Sequence, residues 1–170
     1  EKNVMYPLVF CRLCGQAYYA VLWNRKEDRM LPNGRALFSV GSMTEEEETG
    51  PVEGYLMLAG DSDWQPREDT LPENWLTPKG RVKKYYRPRV PTQVFVTAQG
   101  EVRGSEQDGA LPAWFIRAPL PLCPSCGEVY SGRNKWDFRK LARLSSEGRS
   151  TATTLLTLST VKRLSEENAR

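Results

Sequence analysis

The chain has 170 residues, enough to bury a core in one or two domains, and its 24 Lys and Arg against 21 Asp and Glu leave a net charge of +3. That balance does not demand a nucleic-acid partner, and no apolar run approaches the roughly 18 residues that span a bilayer, so a cytoplasmic chain is expected. Histidine is absent, which removes histidine-activated nucleophiles and mixed cysteine–histidine zinc sites, and neither G-x-x-x-x-G-K-[ST] nor G-x-G-x-x-G occurs, so no catalysis by this chain alone is expected.

Residues 4–10 read as a strand that delivers Cys11, and residues 18–23 as the strand returning from it. Short β-like runs follow at 36–40, 55–58, 82–86 and 93–97, and Gln99-Gly100 reads as a hairpin turn into a partner strand at 101–103. Glu45 to Glu48 is a run of four like charges and reads as a solvated loop. Trp64 and Trp75 sit among polar and proline residues, as in a loop pinned by two indoles. Residues 114–118 lead into Cys123, residues 123–127 turn, and 128–130 lead away.

Towards the end the period changes. Asn134 can cap a helix whose apolar face is Trp136, Phe138, Leu141, Ala142 and Leu144. After an interruption at 145–150, residues 151–164 predict a threonine-rich helix with Ala152, Leu155, Leu156 and Leu164 near one stripe. Such a helix needs tertiary packing, so Leu155 and Leu156 are expected to be buried by folding back or, less favoured, by pairing with a second copy.

One phrase occurs twice. Cys11-Arg-Leu-Cys14-Gly15-Gln-Ala-Tyr18 returns as Cys123-Pro-Ser-Cys126-Gly127-Glu-Val-Tyr130, and these are all four cysteines. C-x-x-C lets two thiolates grip one metal, and the following glycine can take the positive φ of a tight turn that aims N–H groups at the sulfurs. Two such knuckles close one tetrahedral zinc site with ligands Cys11, Cys14, Cys123 and Cys126, closed and structural rather than catalytic. Disulfides, an iron–sulfur cluster and free thiols are the alternatives. The 108 residues from Gly15 to Leu122 far exceed the about 15–20 of an ordinary zinc ribbon, so a β-rich piece is inserted.

Basic charge gathers in two places. Six of the eleven residues from 79 to 89 are Lys79, Arg81, Lys83, Lys84, Arg87 and Arg89, with Tyr85 and Tyr86 among them. Cations bind phosphates and tyrosine rings stack on bases, and strand alternation would put Arg81, Lys83 and Tyr85 on one face. A charge-protected edge strand is the plainer reading. The second gathering includes Arg139 and Arg143, one helical turn apart, and Arg149 at a helix start where free N–H groups attract anions.

The chain resembles the segment between the two RecA-like lobes of large bacterial superfamily 2 DEAD/DEAH-box helicases of the MrfA-like kind. The resembling residues are Phe10-Cys-Arg-Leu-Cys-Gly-Gln-Ala-Tyr-Tyr19, Leu122-Cys-Pro-Ser-Cys-Gly-Glu-Val-Tyr130 and Ser145-Ser-Glu-Gly-Arg-Ser-Thr-Ala-Thr-Thr154; over residues 30–110 the likeness is weak to absent. The resemblance implies zinc on the same four cysteines, ATP-binding residues outside this chain, and RecA-like lobes and nucleic acid, DNA before RNA, as partners. The expected organisation is α+β: a split zinc ribbon at 1–30 plus 110–132, a β-rich insert at 31–109, and a helical segment at 133–170. The expected function is a zinc-stabilised accessory domain that holds nucleic acid or braces the motor lobes. The alternative is an interaction module recruiting a protein through the insert.

Overall fold

The computed structural model describes residues 3–34, 50–107, 109–130, 141–143 and 149–168. The strands run β1 (Leu8–Cys11), β2 (Ala17–Asn24), β3 (Arg29–Pro32), β4 (Val52–Leu58), β5 (Thr92–Val96), β6 (Val102–Arg103), β7 (Leu111–Arg117) and β8 (Leu141–Arg143), followed by the helix α1 (Arg149–Asn168). The architecture is α+β: one antiparallel sheet, ordered β6-β5-β7-β4-β2-β1-β8, and one C-terminal helix among the described residues. β4 covers one edge of β2 at Tyr19–Trp23, so β1 at Ala17–Tyr19 and β3 at Val21–Asn24 share the other edge in succession.

Side-chain alternation sorts the sheet into two apolar faces. Tyr55 and Met57 of β4, Trp114 and Ile116 of β7, Tyr18 and Ala20 of β2, and Val9 and Cys11 of β1 face one core, which Trp64, Leu71 and Trp75 cover. Leu56, Ala113, Phe115 and Val21 face the other. Trp64 and Trp75 are therefore core residues that pin the loop carrying them. Trp64 meets Trp114 edge-on with centroids 5.2 Å apart.

β4 must pass close to β7 at Gly54. A Cβ there would stand 2.5 Å from the Phe115 ring and 2.6 Å from the Ile116 carbonyl oxygen. Gly54→Ala is expected to cost about 1–3 kcal/mol through overpacking, read as a lower urea midpoint with an unchanged m-value.

The strand readings at 4–10, 18–23, 55–58, 93–97, 101–103 and 114–118 correspond to β1, β2, β4, β5, β6 and β7. Two readings are corrected. Residues 82–86 are not a strand: Val82 makes one bridge to Leu76, and the chain then winds into a 3₁₀ turn, Lys84–Arg89. Pro88 has no N–H for a ladder, and Tyr86 turns inward to stack on Trp75 at 5.4 Å and 9°. Leu141 and Ala142 are not on a helix face. They belong to β8, which pairs with β1 through Val9–Arg143, Phe10–Ala142 and Cys11–Leu141. The open edge of β1 supplies hydrogen bonds that outweigh local helical periodicity. The expectations for 36–40, Glu45 to Glu48, Asn134, Trp136, Phe138, Arg139 and Leu144 lie outside the described residues.

α1 folds back onto the sheet. Leu155 is buried against Phe10 and Ala142. Leu156, expected to be buried with it, is 49% exposed, as are Val161 and Leu164 at 57% and 52%. One helix face is covered, and residue 156 lies a full 100° around from residue 155. No helix among the described residues is long and apolar enough to cross a membrane.

Candidate metal centre

Each cysteine pair sits in the same backbone loop. Cys11 ends β1, and its N–H donates to the Gln16 carbonyl while the Gly15 N–H donates back to the Cys11 carbonyl, at 2.9 and 2.8 Å. In the second knuckle the Cys123 N–H donates to the Glu128 carbonyl and the Gly127 N–H to the Cys123 carbonyl, both at 2.8 Å. Gly15 and Gly127 close the loops with φ of 75° and 74°, where a side chain would be strained.

The antiparallel sheet brings the two loops face to face. Cys11 Sγ lies 3.9 Å from Cys126 Sγ, and Cys14 Sγ lies 3.7 Å from Cys123 Sγ. All four sulfurs fall within 4.8 Å of one another, and none forms a disulfide. Zinc–sulfur bonds of about 2.3 Å, tetrahedrally arranged, need sulfurs roughly 3.8 Å apart. The quartet therefore fits a metal ion such as zinc. Cys11 and Cys123 are fully buried, Cys14 is half-buried and Cys126 is exposed, so the cluster stands at the end of the core with one cysteine towards solvent.

Electrostatics lead to the same place. Hydrogen bonds from Cys123 and Cys14 hold the Cys11 thiol far below its ordinary range. Its bonds to Cys11 and Cys14, then burial, push Cys123 far up. Burial pushes Cys126 up to about 11. Four thiolates this close cannot all ionise unless a cation lies among them.

Four further side chains complete the surroundings. The Tyr18 hydroxyl donates to Cys123 Sγ at 2.9 Å, and the Tyr130 hydroxyl lies 3.5 Å from Cys11 Sγ. Lys162 of α1 donates to Gln16 Oε1 beside the first knuckle and to Ser125 Oγ within the second. Leu158 packs so closely on Gly15 that a Cβ there would meet its Cβ at 2.8 Å. The repeated tyrosine is visible in the sequence, but its reach to the opposite knuckle is not. Nothing in the order of residues links Lys162 to Ser125.

The basic segment shares the core that encloses the cysteines. Tyr86, Val82 and Val90 pack against the cluster that contains Cys11 and Cys123. Lys79, Arg81, Lys83, Lys84, Tyr85 and Arg87 are exposed, whereas Tyr86 and Arg89 are half-buried. The Arg89 guanidinium lies over Tyr85 at 4.9 Å and Tyr86 at 5.6 Å, and its Nη2 donates to the Tyr85 hydroxyl at 3.1 Å. The expected grouping of Arg81, Lys83 and Tyr85 by strand alternation gives way to this helical one, in which residues 85 and 89 are neighbours. Arg143 lies on the sheet-edge strand β8 and Arg149 begins α1.

No family model, curated protein or solved structure matches the chain.

Proposed function

We propose that the chain is a zinc-stabilised accessory domain of a DEAD/DEAH-box helicase that contacts nucleic acid through residues 79–89. The β1–β2 hairpin with the first knuckle, and the second knuckle after β7, then form a split zinc ribbon. The helicase context rests on the residues of the two knuckles and the 145–154 segment. The all-sulfur donor set favours zinc in a closed, structural role.

The observation that carries the nucleic-acid reading is the turn itself. Six cations ride on a 79–89 segment anchored by Tyr86 on Trp75, and Tyr85 stands 65% exposed beside the Arg89 guanidinium. Cations supply phosphate contacts and an exposed ring offers a surface for a base. Binding of a labelled oligonucleotide across a salt series tests it. Changing Lys83, Lys84 and Arg87 together to Ala is expected to flatten the slope of log K against log salt by roughly 0.7–0.9 per lost contact. A triple variant that follows the parent at every salt concentration would reduce the segment to charged, solvated surface.

A further inference from the structure

The two knuckles do more than face each other. Tyr18 follows the first by three residues past its glycine, and Tyr130 follows the second by the same count. Tyr18 reaches Cys123 of the second knuckle, and Tyr130 reaches Cys11 of the first. The arrangement is reciprocal, as if the site had a two-fold axis. The two sulfurs reached in this way, those of Cys11 and Cys123, are the two fully buried ones. Both phenols are themselves enclosed, Tyr18 at 0% and Tyr130 at 5% exposure.

We propose that Tyr18 and Tyr130 are positioning residues of the metal centre, each donating its hydroxyl proton across the site to a thiolate of the opposite knuckle. The inference rests on the metal reading given above. A buried thiolate bound to a divalent ion keeps excess negative charge, since four thiolates exceed one such ion by about two charges. Water cannot reach Cys11 and Cys123 to spread that charge. A phenol can, because a charge-assisted hydrogen bond draws electron density from the sulfur. The same bond ties β2 to the second knuckle and the segment after Cys126 to β1. The tyrosines thus lower the electron-donating power and nucleophilicity of the two sulfurs that solvent cannot moderate, and they cross-brace the halves of the site.

Replacing zinc with cobalt(II) in the whole chain makes the sulfurs visible through their charge-transfer absorption. Tyr18→Phe removes one oxygen and keeps the ring. Its sulfur-to-cobalt band is expected to move to lower energy, because an electron is taken more easily from an unshielded thiolate. Cobalt affinity, read by competition with a chelator, is expected to fall by about tenfold, the low end of what losing a ligand's hydrogen-bond partner costs a metal site. Tyr130→Phe, which loses the longer contact, should show the smaller change in both. If Tyr18→Phe does not fold, Tyr130→Phe decides the matter by the same two readings. Bands at the parent's energy with cobalt held at the parent's affinity would overturn the role of the tyrosines and leave the metal site standing. Failure of the parent chain itself to take up cobalt would overturn both.

Discussion

Removing the metal, or changing Cys123 to Ser, is expected to be one of the two most damaging single perturbations of this chain. The four sulfurs join β1 to a knuckle more than 100 residues away, between Cys11 and Cys123 in particular. Cys11 and Cys123 are also part of the larger apolar core, with Tyr18, Leu122 and Leu141 beside them. In isolated finger peptides structural zinc supplies about 10–16 kcal/mol. The sheet here brings apolar contacts of its own, so a smaller share is expected, about 3–5 kcal/mol. For a chain of this size that corresponds to a melting temperature lower by about 6–20 °C. Calorimetry of the parent, of the chelated protein and of Cys123→Ser, with elemental analysis of each, checks it. Full metal content and an unchanged melting temperature in Cys123→Ser would show that this cysteine is not a ligand.

The second large effect is expected at Trp75. Its side chain is 2% exposed, its ring stacks on Tyr86, and its carbonyl accepts the Lys83 N–H at 2.9 Å. Trp75→Ala is expected to cost about 3–5 kcal/mol by the cavity it leaves. It should also act at a distance from its own position. Tyr86 loses its stacking partner, and Arg89, which lies over Tyr86, loses its seat. Oligonucleotide affinity should therefore fall although no positive charge has been removed. Trp75→Phe should retain most of both. Equal affinity in a folded Trp75→Ala protein would separate the core from the basic turn.

The cysteine quartet was legible because its signal is chemical and repeated: identical spacing, the same glycine, the same tyrosine. The strands around β2, β4, β5 and β7 were legible because both sheet faces are apolar and the runs are rich in valine, leucine and aromatics. What was not legible depends on partners distant in sequence. β8 is three residues long, and its apolar pair Leu141 and Ala142 fits a helix as well as an edge strand. Only the free edge of β1 decides between them. Residues 84–89 follow Trp75, nine positions before the turn begins, rather than their own alternation. Leu155 and Leu156 are both apolar, and only the location of Phe10 and Ala142 tells which is covered. Lys162 finds Gln16 and Ser125 through folding alone.

The central claim is that the four cysteines hold one zinc ion with sulfur alone. X-ray absorption at the zinc edge on the protein as purified measures it directly. The expected spectrum is a single shell of four sulfurs at about 2.3 Å, with one zinc per chain. A shell containing nitrogen or oxygen, or protein free of zinc with its thiols paired as disulfides, would contradict it.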